Sequence, residues 1–88
     1  MTKKEITITN SLGIHARPAS MIVKTATGFQ SEISLIKDNM TADAKSIMSV
    51  MMLAAGHKSK IIIQASGSDE EEAAEAIAEL FKINFNEE

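Results

Sequence analysis

Apolar and polar positions change period along the chain, and each period predicts a different element. Residues 4–9 alternate polar and apolar side chains, which is typical of a half-buried strand. After Ala16 the period becomes helical, with apolar side chains at i, i+3, i+4 and i+7: Ala19, Ile22, Val23 and Ala26. Gly28 is expected to end this helix in the left-handed conformation, so the first two elements are predicted to be a strand and a helix.

The middle of the chain predicts a hairpin, a short helix and a further strand. Alternation over residues 31–37, followed by an Asp38–Asn39 turn into residues 40–43, indicates two antiparallel strands. Residues 46–55 are expected to form a short helix that ends at the next glycine. The strongly apolar run 60–65 predicts a heavily buried, central strand.

The C-terminal segment predicts a third helix and completes the fold class. Ser68 and Glu71 have the spacing of a capping box, and a helical apolar stripe follows at Ala73, Ile77, Leu80 and Phe81. The order β-α-β-β-α-β-α predicts an α+β fold: a four-stranded, largely antiparallel sheet with three helices on one face and solvent on the other. A single domain over residues 1–88 is expected from the length.

Composition excludes several classes of function. Aromatic residues make up only 3% of the chain, which argues against the stacking surfaces of single-stranded nucleic-acid binders. Cysteine is absent, which excludes thiol catalysis, disulfides and cysteine-ligated metals, and two histidines without a carboxylate cluster make a weak metal site. We therefore expect no metal and no cofactor. The longest apolar run, residues 50–55, is too short to span a bilayer, and a cytoplasmic monomer is expected.

Charge is unevenly distributed along the chain. Residues 69–88 hold eight acidic residues and one lysine, a net charge of −7, whereas residues 1–68 hold four acidic and eight basic residues, a net charge of +4. A basic working face with an acidic helix elsewhere suits docking onto an acidic partner. A solvated helix face is the simpler explanation for the acidic run itself.

The first candidate for chemistry is the segment around His15, just before the first predicted helix. The free N–H groups and positive dipole end of a helix N-terminus attract anions, and Pro18 suits a first helical turn. Arg17 is the only arginine, and its guanidinium binds phosphate with two parallel bonds. A neutral imidazole can act as a nucleophile, so His15 is a candidate phosphoryl acceptor, and Gly13 leaves space beside it. An ordinary surface histidine is the alternative.

The second candidate is the short helix that begins near Ser46. Ser46 suits an N-cap, and the same position suits phosphorylation because a phosphate gains from the helix dipole. The apolar residues of this helix fall on two sides, and both cannot be buried in so small a protein. One side carries Ile47, Met48, Met51 and Ala55, and the other carries Val50 and Leu53. Periodicity does not decide which side is exposed, and a mostly buried helix is the alternative.

These two segments, residues 13–19 (GIHARPA) and 44–48 (AKSIM), closely resemble the HPr family, the histidine-containing phosphocarriers of the bacterial sugar phosphotransferase system. The resemblance covers essentially the whole chain and implies an open-faced β-sandwich. It implies that His15 accepts a phosphoryl group on Nδ1 from phosphorylated enzyme I, whose donor is phosphoenolpyruvate, and passes it to sugar-specific enzyme IIA domains. Arg17 and the backbone amides of Ala16 and Arg17 would hold the phosphate.

The resemblance also implies a docking surface and a regulatory site. Ile47, Met48 and Met51 would form the exposed docking patch. Ser46 would be phosphorylated by an ATP-dependent HPr kinase/phosphorylase, and the product would bind a catabolite-control transcription regulator, as in low-GC Gram-positive bacteria.

The chain departs from the family pattern at two places. Leu12 stands where a small polar residue is usual, and Ser49, Met52, Ala54 and Ala55 differ from the commoner glycine-containing pattern. A mainly regulatory module and a nitrogen-branch phosphocarrier are the nearest alternatives. A small nucleic-acid binder is disfavoured by the pI of about 5.3. A stand-alone enzyme is disfavoured by the lack of an evident substrate pocket.

Overall fold

The structure is a computed structural model that describes residues 1–9 and 12–86. Seven main elements follow in the predicted order, and a 3₁₀ turn at Asn84–Asn86 comes after them. The strands are β1 (Thr2–Thr7), β2 (Glu32–Lys37), β3 (Met40–Asp43) and β4 (Lys60–Ser66). The helices are α1 (Ala16–Thr27), α2 (Ile47–Met52) and α3 (Glu70–Lys82).

The four strands form one sheet in the order β1-β4-β2-β3, and every neighbouring pair is antiparallel. The prediction that β4 is central is confirmed, since β4 pairs with both β1 and β2. The Asp38–Asn39 turn is confirmed as well, because Lys37 pairs with Met40 across it and Asp38 adopts a φ of 54°.

One face of the sheet is covered and the other is open. Alternate residues of β2 and β4 are fully buried: Ile33, Leu35, Ile61, Ile63 and Ala65. Their neighbours in the chain, including Ser34, Gln64 and the lysine at position 60, are half-buried or exposed on the opposite face. The side chains of α1 and α3 complete the core, with Ile22, Ile77 and Phe81 buried beneath the helices. The open-faced α+β architecture is therefore confirmed.

One predicted cap conformation and one predicted helix boundary are wrong. Gly28 caps α1 as predicted, but at a right-handed φ of −76°: its N–H donates to the Thr25 carbonyl, and the N–H of Phe29 donates to the Ala26 carbonyl, each at 3.1 Å. The helix α2 ends at Met52 rather than near Gly56, since Ala54 turns the backbone to a φ of +51°. The first strand also begins and ends two residues earlier than expected, at Thr2–Thr7.

The predicted capping box at the start of α3 is also wrong, and a longer-range contact takes its place. Asp69, not Ser68, is the N-cap residue, and its carboxylate accepts hydrogen bonds from the backbone N–H groups of Gln30 and Ser31, each at 2.9 Å. The buried Ser31 hydroxyl donates to the same carboxylate. These bonds, led by that of the Ser31 hydroxyl, lower the pKa of Asp69. Asp69 thus joins the loop after α1 to the start of α3.

Candidate functional site

The loop before α1 is held against the segment that follows α2. Gly13 adopts a φ of +67°, and a Cβ placed there would lie 2.3 Å from the carbonyl oxygen of Ala55. The backbone N–H of the buried Ile14 donates to the same oxygen at 2.9 Å. From the sequence, Gly13 was expected to leave space beside His15. The Ala55 carbonyl that Gly13 packs against lies 42 positions along the chain, and no local pattern reveals it.

His15 is the N-cap residue of α1. Its backbone is extended, its carbonyl accepts the N–H of Ala19 at 3.0 Å, and its own N–H donates to the Gly13 carbonyl at 3.2 Å. The imidazole is half-buried, and its Nε2 atom is buried. These backbone contacts therefore fix the position from which the ring projects, and the surrounding residues cover its Nε2 atom.

The first turn of α1 supplies hydrogen-bond donors and positive charge. Ala16 and Arg17 are its first two residues, and helix geometry gives their N–H groups no partner within the helix. Pro18 is third, is buried, and has no N–H to satisfy. Arg17 is exposed, and no acidic residue lies in this turn. The turn can therefore bind an anion through two amides, the helix dipole and one guanidinium.

The structure brings His15, Ala16 and Arg17 together as consecutive residues at one helix end, as predicted. His57 is exposed in the segment after α2, so it shares neither the N-cap position nor the anion-binding turn. Within residues 1–9 and 12–86, no group of three histidine or carboxylate side chains is close enough to hold a metal ion. No helix of this part of the chain has the length and apolarity needed to cross a bilayer.

Ser46 is confirmed as the N-cap of α2. Its hydroxyl accepts the N–H of Ser49 at 3.2 Å, and its carbonyl accepts the N–H of Val50 at 3.0 Å. The Ser49 hydroxyl in turn accepts the backbone N–H of Asp43 at 2.9 Å. The two serines fasten the start of α2 to the end of β3, and Ser46 itself is half-buried.

The structure decides which side of α2 is buried. Val50 and Leu53 point into the core, whereas Ile47, Met48 and Met51 are 45%, 74% and 43% exposed. Ala55, which helical periodicity grouped with Ile47, Met48 and Met51, is buried, because it lies beyond the end of the helix.

Met52 lies beside these exposed side chains, although it was not among the predicted docking residues. It is 67% exposed and lines one surface depression with Ile47, Met48 and Met51. Its spacing of four from Met48 was a signal for a shared helix face. We call these four side chains, Ile47, Met48, Met51 and Met52, the α2 patch.

The far end of α2 is held by a side chain from the sheet. The Lys37 ammonium donates to the carbonyls of Leu53 and Ala54 at 3.3 and 3.4 Å. A cation at this end compensates the negative helix dipole. The helix that carries the α2 patch is therefore anchored at both ends, and α1 packs against it.

Comparisons with known proteins show which family the chain is similar to. The family model for the PTS HPr component phosphorylation site matches residues 2–82. The phosphocarrier protein HPr of Treponema pallidum is 44% identical over 88 residues, which cover the whole of both chains. An HPr structure from Thermoanaerobacter tengcongensis is 43% identical with a TM-score of 0.96, covering 100% of this chain and 99% of the other.

A regulatory relative is also similar. Crh, the catabolite repression HPr of Bacillus subtilis, is 36% identical with a TM-score of 0.63, covering 91% of this chain and 95% of its own. The family model and the HPr relatives each cover nearly all of the chain, and their fold is the one described above. The chain therefore belongs to the HPr family of phosphocarrier proteins of the phosphotransferase system.

Proposed function

We propose that His15 carries the phosphoryl group in a sugar phosphotransferase relay. In the forward step, Nδ1 attacks the phosphorus of phosphorylated enzyme I, a nitrogen–phosphorus bond forms, and the bond between phosphorus and enzyme I breaks. The same group then passes to a sugar-specific enzyme IIA domain. The observation that carries this proposal is the position of His15 as the N-cap of α1 beside Arg17 and two helix-end amides.

The choice of Nδ1 as acceptor rests on the burial of Nε2. A nucleophile must approach phosphorus closely and in line, which a buried ring nitrogen cannot do. The half-buried ring keeps a fixed orientation while part of it stays accessible. The pros-phosphohistidine predicted from the family resemblance is therefore the product that this geometry favours.

Arg17 and the amides of Ala16 and Arg17 would stabilise the attached phosphoryl group. A phosphoryl group on imidazole is dianionic near neutral pH. Two N–H groups, the positive end of the helix dipole and a guanidinium would therefore stabilise its negative charge. No acidic side chain in the first turn of α1 repels it. This binding remains on the surface, which suits a group that must be handed on.

The α2 patch would be the docking surface for enzyme I and the enzyme IIA domains. Its four apolar side chains are exposed together on one short helix, and such a cluster of exposed apolar side chains typically marks an interaction site. Flexible thioethers can repack against several partners, as a carrier between enzymes requires. Small interfaces of this kind release quickly, which fits a relay. These partners would place the carrier in the cytoplasm.

A second function, carbon catabolite regulation through Ser46, is supported by one structural observation. Phosphorylating the N-cap hydroxyl of Ser46 would put negative charge directly beside Ile47 and Met48 of the α2 patch. An HPr kinase/phosphorylase would transfer the group from ATP, and the product would bind a catabolite-control transcription regulator. The similarity to Crh supports this second function.

The carrier proposal is tested with phosphoenolpyruvate, a catalytic amount of enzyme I and intact-mass spectrometry. We expect a single added phosphoryl group that is acid-labile and alkali-stable. His15→Ala should remain unmodified, while His57→Ala, the matched control at the other histidine, should be modified like the wild type. No modification of the wild type by a competent enzyme I would contradict the proposal.

The regulatory proposal is tested separately, with ATP and an HPr kinase/phosphorylase. An acid-stable phosphoryl group is expected on the wild type and on His15→Ala, but not on Ser46→Ala. The phosphoserine form should then accept the phosphoryl group from enzyme I more slowly, because a charge now borders the docking surface. Equal transfer rates for both forms would refute this inhibition.

A further inference from the structure

Half of the chain's methionines lie close together on α2. Met48, Met51 and Met52, which we call the methionine cluster, account for three of the six methionines, and all three are exposed. An accessible thioether is oxidised to the sulfoxide by peroxide or hypochlorite. Because the chain has no cysteine, no thiol of its own competes for such an oxidant.

Oxidation of the methionine cluster would change the surface and spare the core. The side of α2 that faces inward is formed by Val50 and Leu53, which contain no sulfur and are fully buried. Met21, by contrast, is partly buried against the core from α1. Reaction with the exposed sulfurs therefore needs no unfolding, whereas Met21 is less accessible.

We infer that the methionine cluster is an oxidation-sensitive modification site that controls docking at the α2 patch. Each sulfur takes one oxygen atom from hydrogen peroxide as the O–O bond breaks; water leaves, the sulfur is oxidised by two electrons and the peroxide is reduced. A thiol-dependent methionine sulfoxide reductase reverses the change. The inference rests on the docking role proposed for this patch.

The effect on docking follows from the polarity of the sulfoxide. An apolar interface desolvates what it covers, and a strongly polar S–O group without a hydrogen-bond partner there opposes binding. With three such groups in one depression, we expect the KM for this protein as substrate of enzyme I to rise about tenfold, equivalent to about 1.4 kcal/mol. The kcat should change little, because His15 and Arg17 contain no oxidisable sulfur.

The test compares untreated and peroxide-treated full-length chain as substrate of untreated enzyme I. Peptide mass spectrometry identifies which methionines have gained oxygen, and circular dichroism checks the fold. The decisive variant replaces Met48, Met51 and Met52 by leucine, which keeps the patch apolar and removes its sulfurs. Met40→Leu is the matched control, because Met40 is 46% exposed on β3, outside the patch.

Each oxidised protein is compared with the same protein before treatment. The KM should rise for the wild type and for Met40→Leu and should recover after treatment with the reductase. Oxidation should leave the KM of the triple variant unchanged. An unchanged KM with sulfoxides confirmed at all three positions would overturn the inference. An equal rise in KM when the triple variant is oxidised would overturn the inference too. If enzyme I does not phosphorylate the untreated wild type, the proposed carrier function itself fails, and the inference falls with it.

Discussion

Substituting Gly13 by alanine should both destabilise the fold and displace His15. The new Cβ would lie 2.3 Å from the Ala55 carbonyl oxygen and 2.7 Å from the Gly56 Cα, so backbone must move. Overpacking of this kind costs about 1–3 kcal/mol, and a left-handed non-glycine residue adds about 1–2 kcal/mol. We expect a loss of about 3 kcal/mol, or a fall in Tm of roughly 12–24 °C for a domain of this size.

The assay for this prediction is thermal unfolding followed by circular dichroism, paired with the rate of phosphorylation by enzyme I well below the Tm. Gly56→Ala is the matched control, because a Cβ at Gly56 meets nothing within 4 Å. Its stability should stay within about 1 kcal/mol of the wild type, and its phosphorylation rate should be unchanged. If Gly13→Ala behaves like Gly56→Ala in both assays, the packing of this loop against Ala55 does not position His15.

Three further predictions concern the phosphate site, α2 and the Asp69 contact. Arg17→Ala should slow phosphorylation by enzyme I about tenfold or more without lowering the Tm. Lys60→Ala, the same charge change on the open sheet face, should leave the phosphorylation rate unchanged. Equal phosphorylation rates for Arg17→Ala and the wild type would show that Arg17 is not part of the site. Ala54→Gly should raise the free energy of unfolding by about 1 kcal/mol, because the native φ is +51°, and an unchanged denaturant midpoint would contradict that strain. Because its pKa is lowered in the folded state, Asp69 stabilises the fold at pH values above the ordinary pKa of 3.8, and this stabilisation is lost as the pH falls below that value. Asp69→Asn should therefore have a lower free energy of unfolding at pH 7 and lose less of it on acidification. Parallel pH profiles of denaturant unfolding for the variant and the wild type would refute this prediction.

The order of elements could be predicted from the sequence because each strand and helix buries one regular face. The alternating residues of β4 and the stripe of α3 follow from that rule and needed no knowledge of their partners. The candidate site was predictable for a similar reason. His15, Ala16 and Arg17 are consecutive, so the helix start alone places them together.

What the sequence could not show depends on contacts between distant segments. The carboxylate of Asp69 accepts hydrogen bonds from backbone N–H groups 38 and 39 positions earlier in the chain. The local spacing had instead predicted a capping box that starts at Ser68. The buried side of α2 was undecided because both sides are apolar, and only the packing of Val50 and Leu53 into the core settles it. The end of α2 was misplaced because Ala54 adopts a conformation that sequence rules reserve for glycine.

The most direct test of the central claim is to identify the phosphorylated atom by nuclear magnetic resonance. The ¹⁵N-labelled chain is phosphorylated with phosphoenolpyruvate and enzyme I, and nitrogen–phosphorus coupling is measured in both histidine rings. We predict coupling at Nδ1 of His15 and none at Nε2 of His15 or in His57. Coupling at Nε2 of His15, or phosphorylation of His57, would contradict the account in which the N-cap of α1 presents one accessible nitrogen to the incoming phosphoryl group.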